Sequence, residues 1–127
     1  YLTAYGSEEQ KHKWLLGKVS GEVVSAIAMT EPGAGSDLQG MKTIARKDGN
    51  GWRLSGSKTY ITNGQSADII IVCARTTEEG GARGISLFLV DATDEGFTRG
   101  RNLDKIGLHG NDTSELFFDE VHLPADR

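Results

Sequence analysis

The apolar positions of this chain fall into short runs separated by glycine and charged residues. The first group is Trp14, Leu15 and Leu16. It follows helix-start chemistry: Ser7 with Gln10 three positions on is a capping-box pattern, and Glu8 and Glu9 occupy the first turn. A helix is predicted over residues 7–17, with Gly17 as its stop and the three apolar residues as its contact. From Glu22 onward the pattern becomes that of strands. Val23 to Met29 is an apolar run of strand length. Met41 to Lys47 is a second strand candidate and ends in Asp48-Gly49-Asn50-Gly51, a strong hairpin signal. Trp52 to Thr62 alternates Trp52, Leu54 and then Lys58, Tyr60, Thr62, with Gly56 as a possible bulge. Asn63-Gly64 turns the chain again. Ile69 to Ala74 reads as a strand buried on both faces, and Ile85 to Val90 as another buried strand. Phe97 to Arg101 is a short strand candidate, and Ser114 to Val121 closes the series. Turn signals about every 8–12 residues predict a mainly β, antiparallel barrel- or sandwich-like domain after one short helix.

Composition narrows the function classes. The chain has 127 residues, enough for one domain with a modest core. Its net charge of -4 lacks the basic footprint of a sequence-independent nucleic-acid binder. The single cysteine, Cys73, allows no disulfide framework within the chain and reads as a small hydrophobe in a strand. The longest apolar run, Ile69 to Ala74, is too short for a membrane span. His12, His109 and His122 have no metal-ligand spacing. Asp119 and Glu120 are adjacent on a predicted strand, where neighbours point to opposite faces, so they are not expected to converge.

The segment Ala28-Met29-Thr30-Glu31-Pro32-Gly33-Ala34-Gly35-Ser36-Asp37-Leu38-Gln39-Gly40 carries the chemistry. Glycines in such a loop allow positive φ and close approach, so its backbone N–H groups can meet a phosphate. Thr30 and Ser36 add hydroxyls. No third glycine stands at Leu38, which excludes a Rossmann fingerprint, and no Gly-Lys-Ser/Thr follows, which excludes a P-loop. From turn chemistry alone, an ordinary turn is the other reading.

The whole string resembles the signature of the acyl-CoA dehydrogenases. So do Leu54-Ser55-Gly56-Ser57-Lys58 with Tyr60-Ile61-Thr62-Asn63-Gly64, Gly84 to Val90, and Glu115-Leu116-Phe117-Phe118-Asp119-Glu120-Val121 with Leu123-Pro124. Tyr5-Gly6-Ser7-Glu8-Glu9-Gln10-Lys11 is similar to the helix that closes that family's N-terminal α-domain. The resemblance implies a piece of a longer protein. Residues 1–21 would end the helical domain, 22–127 would form the β-barrel-like middle domain, and a C-terminal helical domain bearing the glutamate base would lie beyond.

By position, the resemblance implies FAD contacts from Ile27, Ala28, Met29 and Thr30, and pyrophosphate contacts from Gly35 and Ser36. Tyr60, Ile61 and Thr62 would flank the isoalloxazine, Tyr60 standing where many relatives carry Trp. Ser36, Ala82 and Arg83 would face acyl-CoA. The implied reaction is α,β-dehydrogenation of a fatty acyl-CoA to the trans-2-enoyl-CoA, with a long-chain-type resemblance. Electrons would go to an electron-transfer flavoprotein. The intact protein would be a homo-oligomer, a tetramer in most relatives, in the cytoplasm of a bacterium or the mitochondrial matrix of a eukaryote. Two rivals stand beside this reading: an acyl-CoA oxidase-like or nitroalkane oxidase-like flavoenzyme, and a flavin-free β-barrel that binds a ligand or partner.

Overall fold

The computed structural model describes residues 1–77 and 81–127. A single turn of helix, α1 (Leu2–Tyr5), precedes α2 (Glu8–Ser20). The capping box is formed: Ser7 Oγ accepts from the Gln10 N–H at 3.2 Å, and Gln10 Oε1 accepts from the Ser7 N–H at 2.9 Å. The predicted stop at Gly17 is wrong. The helix runs on to Ser20 and ends at Gly21, whose φ of 83° is the left-handed cap that glycine accepts without strain. Gly17 instead lets Val23 pack against the helix, because a Cβ there would lie 2.5 Å from Val23 Cγ2. Trp14 is buried and Leu15 half-buried against Leu2, Ile69, Ile71 and Leu89. Leu16 is 77% exposed and makes no part of that contact, since it lies on the helix face turned from the sheet.

Seven strands follow: β1 (Ser25–Ala28), β2 (Ile44–Asp48), β3 (Gly51–Thr62), β4 (Ile69–Arg75), β5 (Ile85–Asp91), β6 (Phe97–Asn102) and β7 (Thr113–Leu123). Among the described residues they form one sheet, ordered β1-β4-β2-β3-β7-β6 with β5 also on β4, curled into a half-barrel. The expectation of antiparallel pairing needs one correction. β1 and the start of β2 both run parallel to β4, one after the other along the edge that β5 leaves free. β2 and β3 form the predicted hairpin through Gly49-Asn50, with Gly49 at φ 57°.

The core lies inside the curl. Leu54, Ile70, Val72, Val90, Leu116, Val121 and Leu123 are fully shielded from water. Burying each such side chain is worth about 1.5–3 kcal/mol relative to leaving it exposed. β4 is buried along Ile69–Ala74, as its unbroken apolar run predicts. β5 is only half-buried at its start, and Leu87 is exposed.

Strict alternation fails at two places in β3 and β7, and bulges are the cause. The β3–β7 register slips between Leu54 and Gly56 and again between Lys58 and Ile61. Opposite the first slip, Glu120 has a φ of 49°. Asp119 and Glu120 are therefore both exposed, not sent to opposite faces as plain alternation predicts.

Candidate functional site

β1 ends beside Val72 of β4, and β2 begins beside Arg75 of the same strand. Residues 29–43 leave the sheet edge between those two points and return to it. Arg75 N–H closes the neck by donating to the Thr43 carbonyl at 2.9 Å. The glycine-bearing loop is thus an excursion held at both ends by one buried strand.

Inside the neck sits a buried ion pair. Lys58 Nζ lies 2.9 Å from Glu31 Oε1, and the two side chains are 0% and 5% exposed. Lys58 Nζ also donates to the Met29 carbonyl at 2.9 Å. Glu31 Oε2 accepts from the Lys42 N–H at 2.6 Å and Oε1 from the Thr43 N–H at 3.0 Å. Burial works against the Glu31 carboxylate, but the N–H groups of Lys42 and Thr43 and the Lys58 ammonium outweigh it and hold its pKa below the ordinary value. Burial pulls Lys58 down, with Glu31 opposing. Cys73, under the loop with Ala34 and Met41, is pushed up by burial.

The backbone of the loop is fixed by short-range bonds. Glu31 and Ala34 exchange N–H···O bonds at 2.9 and 3.1 Å around Pro32-Gly33. Thr59 N–H donates to the Thr30 carbonyl at 2.9 Å, which joins the loop to β3. Asp37 caps the following 3-10 turn, Leu38–Gly40, by accepting from the Gln39 N–H at 3.1 Å.

Gly33 and Gly35 do not have the positive φ that the sequence argument invoked. A Cβ at either would meet nothing within 4 Å. Neither the backbone conformation nor the packing of the described residues requires glycine there. Among the described residues none accepts from the N–H of Thr30, Gly35 or Ser36, and the Ser36 hydroxyl has no partner.

The structure brings the two predicted segments together through Lys58 and Thr59. At the second β3 bulge, Tyr60 takes a φ of 58° and is 67% exposed. For an aromatic residue that conformation is uncommon and costs about 1–3 kcal/mol. Thr62 is exposed as well. The Ile61 side chain belongs to the core inside the curl, and Ile27 packs toward the helix. Ala28 is wholly buried. Ile61 and Ala28 can meet a ligand only through their backbone, whereas the Ile27 side chain is half-buried. Met29 is half-buried beside Ala34, Met41 and Cys73.

The 3-10 turn Gly81–Gly84 reaches the loop by Gln39: Gly81 has a φ of 59°, and a Cβ there would collide with Gln39 Oε1. Arg75 Nη1 donates to the Gln39 carbonyl at 3.1 Å. Ala82 and Arg83 are exposed on that turn. Gly80, the residue before this turn, lies outside the described residues.

Sequence reasoning gave Glu31, Lys58 and Thr43 no role. The one available signal was a lysine in inward register on a strand, opposite Leu116. Its partner stands 27 positions away and could not be assigned without the fold. His12, His109 and His122 are exposed, and no group of metal-ligating side chains occurs among the described residues. No helix among them is long and apolar enough to cross a membrane.

Comparison with known proteins agrees with this geometry. Residues 26–121 match the family model "Acyl-CoA dehydrogenase, middle domain". The mitochondrial long-chain specific acyl-CoA dehydrogenase of Sus scrofa is 55% identical over 98% of this chain, which spans 30% of that protein. A crystal structure of an acyl-CoA dehydrogenase from Geobacillus kaustophilus superposes with a TM-score of 0.95 at 53% identity, over 99% of this chain and 34% of its own. A glutaryl-CoA dehydrogenase from Mycobacterium smegmatis in complex with FADH2 gives 0.91 at 43% identity, over 98% of this chain and 31% of its own. The chain therefore covers about a third of the length of these relatives. With its sheet, its glycine-bearing excursion and its sequence all in agreement, the chain belongs to the acyl-CoA dehydrogenase family, in the part that forms the middle domain.

Proposed function

We propose that this chain supplies one wall of an FAD site in an acyl-CoA dehydrogenase that acts on a long straight-chain acyl-CoA. The convergence of residues 28–36 with 58–62 carries this reading. Two remote segments meet through Lys58 and Thr59, and they present N–H groups that no described residue accepts from.

Each residue then has a task its surroundings allow. The N–H groups of Gly35 and Ser36 with the Ser36 hydroxyl would hold the pyrophosphate, since an anion can be bound by main-chain donors without a lysine. Ala28, Met29 and Thr30 would offer backbone, and Thr30 its hydroxyl, to the flavin pyrimidine edge. Exposed Tyr60 would stack on the ring system, with the Ile61 backbone and the Thr62 hydroxyl beside it. Ser36, Ala82 and Arg83 would face the acyl-CoA, Arg83 as a partner for phosphate. FAD, when bound, supplies the acceptor for the hydride leaving the substrate β-carbon.

In this reading residues 1–21 close a preceding helical domain and 22–127 are the middle domain. The glutamate base then lies on a further helical domain of the full-length protein. The 55% identity to a long-chain specific relative supports the substrate class. Electron-transfer flavoprotein would be the acceptor and a homotetramer the assembly. The site would be mitochondrial in a eukaryote and cytoplasmic in a bacterium.

The test is FAD binding by the full-length protein, wild type against Ser36→Ala with Thr62→Ala. Both side chains are exposed, so the double variant is expected to fold. Bound flavin that bleaches on adding a long-chain acyl-CoA, and is weakened or unresponsive in the double variant, is the expected result. A wild-type protein that ignores FAD would overturn the proposal.

A further inference from the structure

We propose that the buried Lys58–Glu31 pair positions and polarises the Met29–Thr30 peptide, and thereby sets the affinity and reduction potential of the flavin bound there. The inference rests on the flavin reading above and assigns a role to two residues that would not themselves touch the cofactor.

A buried ion pair is weak evidence for stability, because desolvating two charges offsets their attraction. The location of this pair says more. Lys58 donates to the Met29 carbonyl, and that carbonyl shares its amide with the N–H of Thr30. The next carbonyl along, that of Thr30, accepts from Thr59 N–H. Both peptide planes around Thr30 are fixed, and no described residue accepts from the Thr30 N–H itself. A cation on a carbonyl draws electron density through the amide and makes its N–H a stronger donor, by about 10–30% per bond in linked chains. Glu31 fixes the ammonium from the other side while its carboxylate is held by Lys42 and Thr43 N–H. Lys58 and Glu31 are thus positioning residues that act through Thr30.

The two charges pull in opposite directions on anything that gains electrons nearby. Without Lys58, the Glu31 carboxylate is unbalanced and added negative charge is disfavoured. Without the Glu31 charge, the Lys58 ammonium is unbalanced and added negative charge is favoured. A merely structural pair would give the same sign in both variants, because each loosens the same loop.

The experiment uses the FAD-loaded full-length protein at neutral pH, equilibrated with redox dyes of known potential, as wild type, Lys58→Met, Glu31→Gln and the double variant. Lys58→Met is expected to move the flavin potential negative and to weaken FAD binding. Glu31→Gln is expected to move it positive, and the double variant to lie between them. A tenfold change in the ratio of affinities for reduced and oxidised flavin corresponds to about 30 mV for a two-electron couple. Shifts of one sign in both single variants, or none, overturn the inference while leaving the flavin site standing. Should Lys58→Met not accumulate as folded protein, Glu31→Gln decides alone, and an unchanged or more negative potential overturns the inference. A wild-type protein that takes up no FAD overturns both this inference and the function it rests on.

Discussion

Replacing Gly56 by alanine tests how the loop neck is built. Gly56 lies at the first β3 bulge with a φ of 150°, a region that L side chains rarely enter. A Cβ there would stand 2.5 Å from Thr43 Oγ1, 2.7 Å from Thr43 Cα and 2.8 Å from Thr43 Cβ. Two of those atoms belong to the backbone or its branch point and cannot swing aside. Backbone strain of this kind costs about 1–3 kcal/mol, and overpacking typically adds about 1–3 kcal/mol. Loss of the glycine's extra unfolded-state freedom returns roughly 0.4–1 kcal/mol. The net expectation is about 3 kcal/mol of destabilisation, or roughly 10–20 °C in Tm for a domain near this size.

The damage would reach the site, because Thr43 N–H holds Glu31 Oε1 and the Thr43 carbonyl holds Arg75. Gly35→Ala is the matched control. Its φ is not positive and its Cβ would meet nothing within 4 Å. Stability should change by less than about 1 kcal/mol there, while FAD affinity falls because the methyl group occupies the approach to the N–H groups. Urea denaturation and FAD titration of the two variants in the full-length protein separate these effects. A Gly56→Ala protein within 1 kcal/mol of wild type, or a Gly35→Ala protein equally destabilised, would refute the reasoning (about the resolution of such a measurement).

Two further outcomes follow from the buried groups. The Glu31 carboxyl titrates below its ordinary value of 4.5 in the folded chain, so its stabilising contribution is whole above that pH. The contribution is lost as the pH falls through the lowered value. Urea midpoints measured from pH 7 down to pH 3 should show an acid-side decline that is shallower in Glu31→Gln, and parallel curves would contradict it. Cys73 is buried and its pKa is raised, so a thiol reagent such as DTNB should label it only as the protein unfolds. Rapid labelling in native buffer would show that the strand under the loop is open.

Local chemistry was enough to read most of the elements. The capping box at Ser7 and Gln10, the Gly49-Asn50 hairpin turn and the uninterrupted apolar run of β4 are each decided by neighbours in sequence. Bonds between residues three apart, or a side-chain period of two, need no knowledge of the rest of the chain. The end of α2 was misread at Gly17, because that glycine serves packing against Val23, a contact the local pattern does not record. The same holds for Leu16, whose exposure depends on which helix face meets the sheet.

For the site, the sequence by itself marked the glycine-bearing string and the Lys58 to Gly64 segment, since their order of residue types is distinctive over a long stretch. Tertiary structure alone decided how they meet. Parallel pairing of β1 and β2 to one strand turns residues 29–43 into an excursion, and that pairing involves residues remote in sequence. Lys58 points inward by simple alternation from Leu54, but its partner Glu31 comes from the remote loop, and the bulge just after Lys58 turns Tyr60 outward at positive φ. A bulge shifts every later side chain to the other face. One misplaced residue in the register is therefore enough to hide, in the linear sequence, which groups share the site.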